Sequence, residues 1–259
     1  MARLALAVAV ALGAGCGRVG FTALGGGGGS GDGGATGDGK SGDGVAPVTC
    51  LASYELCDSF ETPTLAAVWT PSGTVAIDTN VAHRGTQSMH FHTPALAPGG
   101  NMYSTIAETA TFASADATFY VRAYVLIEAV PANNLDFIDA QQSTGSPLED
   151  GLFLEPTGVA VYSQFANDVA DTATPPVTGT WSCLMWQVTR ATIGTGLEVL
   201  SGDQGMATLG GVQTDGVPAI EVMNFGIGFA GPSVLVAQPA FDLWLDDVII
   251  ASTALTCAD

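Results

Sequence analysis

Positive charge is almost absent from this chain. Six Lys and Arg residues stand against 25 Asp and Glu, for a net charge of −19, and the sole lysine is Lys40. From Cys50 onward the basic residues are Arg84, Arg122 and Arg190. Such a chain repels phosphate backbones, which excludes nucleic acid as a partner. Anionic polysaccharides are repelled in the same way unless a metal bridges them. Neutral glycans, cations and proteins remain, and the acidic surface favours a soluble monomer. Long apolar runs are missing too. Leu4–Leu12 is the unbroken one, and it falls short of the roughly 20 residues that a bilayer core requires. No segment carries an apolar stripe of helical period beyond two turns, so helical folds are excluded.

The short apolar run does have a use. Arg3 precedes it, and Gly13-Ala14-Gly15 leads into Cys16. A charged start, a short apolar stretch and a small-residue cleavage site form an export signal. The junction resembles a bacterial lipoprotein signal, with Gly13 in the place where leucine is usual. That resemblance implies cleavage before Cys16 and lipidation of its thiol, so that the mature chain meets a membrane only through its lipid. Residues 17–47 follow as a tether. Gly25 to Gly29 are consecutive, and Gly, Asp, Ser and Thr continue to Gly44. Nothing there is apolar enough to bury, so disorder is expected, with a mean reach of roughly 30 Å. Asp32, Asp38 and Asp43 sit between glycines but hold no nine-residue calcium-repeat period.

Residues 48–259 are expected to form one β-domain. Thr74–Asp78 and Ser88–His92 alternate apolar and polar residues. Thr118–Ile127, 158–165, 184–190, 194–200, Phe225–Phe229 and Phe241–Ala251 are further strand candidates, with Gly, Pro, Asn and Asp between them. Many short strands with punctuating turns predict an all-β fold, an antiparallel two-sheet sandwich.

Period two assigns faces. Phe119, Val121, Ala123, Val125 and Ile127 read as core, which turns Tyr120, Arg122 and Tyr124 the other way. An aromatic–cation–aromatic row of this kind stacks a sugar ring and hydrogen-bonds its hydroxyls. A solvated face with good cross-strand pairs has the same pattern. Phe137, Asp139 and Gln141 share a face by the same count, as do Ala160, Tyr162 and Gln164. Were these strands neighbours of the Tyr120 row, Asp139, Gln141, Tyr162 and Gln164 would complete one groove.

The order of landmarks resembles a known family. Cys57-Asp58-Ser59-Phe60-Glu61 opens the domain, and Trp69 follows. Then come Ala82-His83-Arg84-Gly85-Thr86-Gln87-Ser88-Met89-His90, the Phe119-Tyr120-Val121-Arg122 strand, Trp181-Ser182-Cys183-Leu184-Met185-Trp186, and Leu245-Asp246-Asp247-Val248. The series resembles concanavalin A-like, laminin-G-like jelly-roll domains of bacterial envelope lipoproteins. Galactose-binding-type modules share the opening and the closing motif but are usually shorter. The resemblance implies a jelly roll and a structural calcium ion where the first and last strands meet. Its counterparts here are Glu61, Asp246 and Asp247, with backbone oxygens around Gly85. The alternative is that Asp246 and Asp247 end a strand or pair with Arg84.

Motifs for catalysis are lacking. There is no strand run of Glu-x-Asp-x-(x)-Glu, such as retaining glycosidases of this fold carry. There is no Gly-x-Ser-x-Gly elbow, P-loop or dinucleotide fingerprint. A uronate lyase needs cationic side chains that the domain has too few of. His90 and His92 share a strand face, but with no third histidine or cysteine beside them they read as exposed strand residues. Removing Cys16 leaves four cysteines, an even number suited to an oxidising compartment. The expected bridges are Cys50–Cys57 and Cys183–Cys257, with Cys50 or Cys57 to Cys257 as the alternative. The sequence therefore leads to an exported, lipid-anchored envelope protein displaying a jelly-roll module for carbohydrate. A glycan hydrolase or lyase of the same fold, and a structural or protein-binding envelope component, are the alternatives.

Overall fold

A computed structural model of the chain describes residues 45–109, 118–141, 149–164, 167–189, 196–212 and 220–258. The signal segment, Cys16 and nearly all of the tether lie outside them. The described residues form fifteen strands and one short 3-10 turn, Gly231–Ser233.

Eight strands make one antiparallel sheet: β1 (Leu56–Asp58), β3 (Thr74–Asp78), β4 (Ser88–Thr93), β6 (Thr118–Ile127), β11 (Ser182–Thr189), β12 (Gly196–Gly202), β13 (Ala207–Val212) and β15 (Phe241–Ala251). Its order is β13-β12-β11-β6-β15-β4-β3, with β1 added beside β15. Seven make the other: β2 (Trp69–Ser72), β5 (Met102–Glu108), β7 (Leu135–Gln141), β8 (Glu149–Leu154), β9 (Val159–Ser163), β10 (Asp168–Asp171) and β14 (Val222–Phe229). They run β10-β9-β8-β7-β14-β5-β2. The protein is a jelly-roll β-sandwich.

Alternation builds the layer between the sheets. On β6, Phe119, Val121, Ala123, Val125 and Ile127 all turn inward, as period two predicts. Phe91 and Met89 from β4 and Leu243 and Leu245 from β15 extend that side. Leu152, Val161, Phe225 and Ile227 answer from the seven-stranded sheet. Each such side chain contributes roughly 1.5–3 kcal/mol when buried. Edge-on aromatic pairs, Trp69 with Phe225 at 5.6 Å and Phe119 with Trp186 at 5.9 Å, fix ring orientations within the layer. At Gly226 the sheets come so close that an added Cβ would stand 2.7 Å from the Phe91 ring.

Two irregularities redirect side chains. The register of β7 shifts between Asp136 and Ile138, so Phe137 and Ile138 both enter the core. That corrects the expected face of Phe137: strict alternation fails at a bulge, and Asp139 and Gln141 face outward without it. The second shift, between Asp246 and Ile249 on β15, places Asp247 in the left-handed region at φ 49°. There β15 changes partner from β4 to β1.

Both expected disulfides are present, Cys50–Cys57 and Cys183–Cys257, the second spanning 74 residues. A small second core lies on the outer face of the eight-stranded sheet. Val48 and Leu255 cover Ile249 and Ala251 there, with Tyr54, Cys57 and Tyr120 packed beside them.

Candidate functional site: the outer face of the seven-stranded sheet

Registers across this sheet align its outward side chains into rows. In one row Tyr162 on β9 stands opposite Gly151 on β8, Gly151 opposite Asp139 on β7, and Asp139 opposite Asn224 on β14. In the next row Phe153 pairs with Asp136, Asp136 with Gly228, and Gly228 with Tyr103 on β5. Each row crosses four strands, about 14 Å at roughly 4.8 Å per step. The two glycines leave the floor flat between an acid and a ring. A Cβ at Gly228 would stand 3.0 Å from the Asp136 Cβ and 3.2 Å from the Tyr103 ring.

On this face Asp136 and Phe153 are buried, whereas Tyr103 is 42% exposed. Phe153 meets the edge of Tyr162 with ring centroids 5.3 Å apart. Asn224 donates its amide to Asp139 Oδ1 at 2.6 Å, and Gln141 also bonds the Asp139 carboxylate. Burial, reinforced by the charge of Asp136, nevertheless pushes the Asp139 carboxyl up to about 7. At the margins Gln164 donates to Glu149 at 3.5 Å and Asn134 to Glu155 at 2.9 Å.

Asp139, Gln141, Tyr162 and Gln164, paired from period two alone, thus share one face. The Tyr120 row does not join them, and this corrects the single groove expected from the sequence. Tyr120, Arg122 and Tyr124 belong to β6 in the other sheet and lie under Val48 and residues 255–257. Arg122 is fully buried and donates to the Thr256 carbonyl at 3.1 Å. The Tyr124 hydroxyl donates to the Cys257 carbonyl, and His83 stacks on its ring at 3.6 Å. Cys183 sits opposite Tyr124 on β11, so the Cys183–Cys257 bridge straps the C-terminal segment over this row. Alternation turned the row outward correctly; what covers it comes from residues about 130 positions away.

The residues expected at calcium clamp a loop. Glu61 accepts the amides of Thr86 and Gln87 at 2.8 and 3.0 Å, and the Thr86 hydroxyl at 2.8 Å. Asp246 Oδ2 accepts the amides of His83 and Arg84 at 2.8 and 3.3 Å, and its Oδ1 accepts the Asp247 amide at 2.8 Å. Asp247 meets His83 Nδ1 at 2.9 Å and Arg84 Nε at 3.8 Å. Gly85, at φ 67°, lies against the Glu61 carboxylate. Burial, with Asp247 adding its charge, raises the Asp246 carboxyl to about 8. The carboxylates of Glu61 and Asp246 thus accept N–H and O–H donors of this loop and clamp it. His90 Nε2 and His92 Nδ1 both lie against Asp242 Oδ1, at 2.8 and 2.9 Å. Among the described residues no group of three or more His, Cys, Asp or Glu is arranged to hold a metal ion.

Asp136, Asn224, Phe153 and Tyr103 were not singled out from the sequence. Asn224 is within reach, since the alternation of Phe225–Phe229 extends back to Met223. Tyr103 is not, because β5 turns Ser104 and Glu108 inward beside Ile106 and so lacks an apolar face.

No family model and no curated protein matches the sequence. Solved structures do match the fold. The cellulose-induced protein Cip1 superposes with a TM-score of 0.60 at 21% identity, over 78% of this chain and 99% of that one. An endo-β-1,4-glucuronan lyase from the fungus Trichoderma reesei gives 0.51 at 13% identity, over 83% and 94%. A PL-14 alginate lyase from Aplysia kurodai gives 0.52 at 9% identity, over 69% and 87%. These likenesses define the class, a jelly-roll sandwich.

Proposed function

We propose that the chain is an exported, lipid-anchored envelope protein whose jelly-roll domain binds carbohydrate on the outer face of the seven-stranded sheet. One observation carries the reading. Tyr103, Tyr162 and Phe153 share the outward rows of this sheet with Asp136, Asp139 and Asn224, and Gln141 bonds Asp139. Rings supply stacking area and amide–carboxyl pairs match the hydroxyls of a sugar, the combination expected of a small-molecule site. The names of the three structural neighbours, which mention cellulose, glucuronan and alginate, support the same ligand class. Two disulfides suit an oxidising compartment outside the cytoplasm. Among the described residues no helix is long and apolar enough to cross a membrane.

The test is calorimetric titration with a panel of oligosaccharides lacking carboxylates. Binding that Tyr103→Ala weakens supports the reading; no binding across the panel overturns it. Lipidation is tested separately, by metabolic labelling with a fatty-acid probe in wild type and in Cys16→Ser. A structural calcium ion at Glu61, Gly85, Asp246 and Asp247 is a further proposal. Thermal melting in calcium against EDTA tests it, with a midpoint raised by calcium in support.

A glycan-cleaving enzyme is the second reading. It is favoured by Asp139, a carboxyl raised to about 7 beside a second carboxylate, the pairing that acid–base cleavage of a glycoside uses. Turnover on the same panel that Asp139→Asn abolishes would establish it.

A further inference from the structure

Resting on the proposed carbohydrate site, we infer that the preferred glycan carries free amino groups: the face selects amine-bearing hexosamine oligosaccharides over N-acetylated and uronate-bearing ones.

The charge of the face is one-sided. Its strands β2, β5, β7, β8, β9, β10 and β14 contain no Lys, Arg or His. Asp136, Asp139, Glu149 and Asp171 all lie on outward rows. The described cations belong elsewhere: His90, His92 and Arg122 to the eight-stranded sheet, and His83 and Arg84 to the loop clamped by Asp246. Arg190 lies outside the described residues. A uronate placed on Tyr162 would face Glu149 of β8 and Asp171 of β10, and one placed on Tyr103 would face Asp136 across Gly228; like charges brought together in this way oppose binding. The inferred preference therefore departs from the glucuronan and alginate after which the two lyase neighbours are named.

An ammonium group fits where a carboxylate does not. Gly228 stands between Asp136 and Tyr103 in the row and places no side chain between them. An acid and an aromatic ring side by side are the pairing that recognises an organic cation. One strand-pair along, Asp139 supplies a second acid, with Asn224 fixing its orientation. Burial and Asp136 hold the Asp139 carboxyl at about 7. A bound ammonium offsets that repulsion, so Asp139 ionises on binding and a proton leaves the complex.

The experiment is calorimetric titration of the full chain at pH 6, in two buffers of different ionisation enthalpy. The probes are a glucosamine tetramer, its N-acetylated counterpart and a glucuronate tetramer. The expected result is binding of the amine tetramer about tenfold or more tighter than its N-acetylated form, a coupling of roughly 1.4 kcal/mol. It comes with release of up to about one proton and no binding of the glucuronate. Asp139→Asn brings the two hexosamine affinities to within about threefold and removes the proton release. Asp136→Asn, checked for its melting midpoint, gives the same convergence if Asp139→Asn does not fold. Equal binding of the two hexosamine tetramers, or binding without proton release, overturns this inference and leaves carbohydrate binding standing. Failure of these and all uncharged oligosaccharides to bind overturns both.

Discussion

Asn224 on β14 reaches across to Asp139 on β7 and donates to its carboxylate at 2.6 Å, in the middle of the outer face of the seven-stranded sheet. The bond favours the ionised acid and works against the burial that raises it. In Asn224→Ala the carboxyl loses this donor, and its midpoint rises above about 7. Side-chain carbon NMR of Asp139 across a pH titration reads that shift directly, and a midpoint unchanged or lowered would contradict the assignment. Stability falls by about 1–3 kcal/mol, the cost of an acceptor left without its donor.

A second acid pair lies between the sheets. Asp150 of β8 and Glu198 of β12 are both buried; burial raises both carboxyls, and the charge of Asp150 works further against ionising Glu198. Asp150 bonds Ser163, and Trp186 donates to Glu198 at 3.2 Å. Burial raises Asp150 to about 7 from an ordinary 3.8. The folded state thus holds a proton that the unfolded chain releases. The stability this confers is complete below about 4 and is lost as pH rises towards about 7. Wild-type melting midpoints therefore fall between pH 4 and pH 8, and Asp150→Asn, which mimics the protonated acid, falls less. A wild-type midpoint that climbs through this range contradicts the pairing.

The two disulfides differ in the loops they close. Cys183–Cys257 closes 74 residues and Cys50–Cys57 closes seven. In the chain-entropy model these amount to about 4 and about 2 kcal/mol. Replacing Cys183 and Cys257 by Ala lowers denaturant stability more than the same change at Cys50 and Cys57. It also releases Leu255 and Thr256 from β6, so amide exchange quickens at residues 252–258. Equal losses from the two pairs would contradict the strap over Tyr124.

Gly85 is held by its neighbours. Its φ is 67°, and an added Cβ would stand 2.2 Å from a Glu61 oxygen. Gly85→Ala strains the backbone and displaces the clamp, at a cost of about 1–3 kcal/mol. Chemical denaturation measures it. A neutral effect would show that Glu61 does not grip the loop.

The sequence carries the fold because most strands have one apolar face. Thr74–Asp78, Thr118–Ile127 and Phe241–Ala251 are legible to the residue for that reason. β5 is not, with Ser104 and Glu108 on its inward side. The site is legible only in part, because period two tells which way a side chain points and nothing about what lies on top of it. Asp139 and Tyr162 keep their expected face. Arg122 keeps its face too, yet is roofed by the C-terminal segment. Phe137 loses its face to a bulge that alternation does not encode.

Calorimetric titration of wild type and Tyr103→Ala with one panel of uncharged and amine-bearing oligosaccharides tests the central claim, carbohydrate binding at this face. Wild type binds at least one member, and Tyr103→Ala weakens it about five- to tenfold, the worth of one stacked ring at ~1–1.5 kcal/mol. No binding by wild type, or equal binding by the variant, would contradict it.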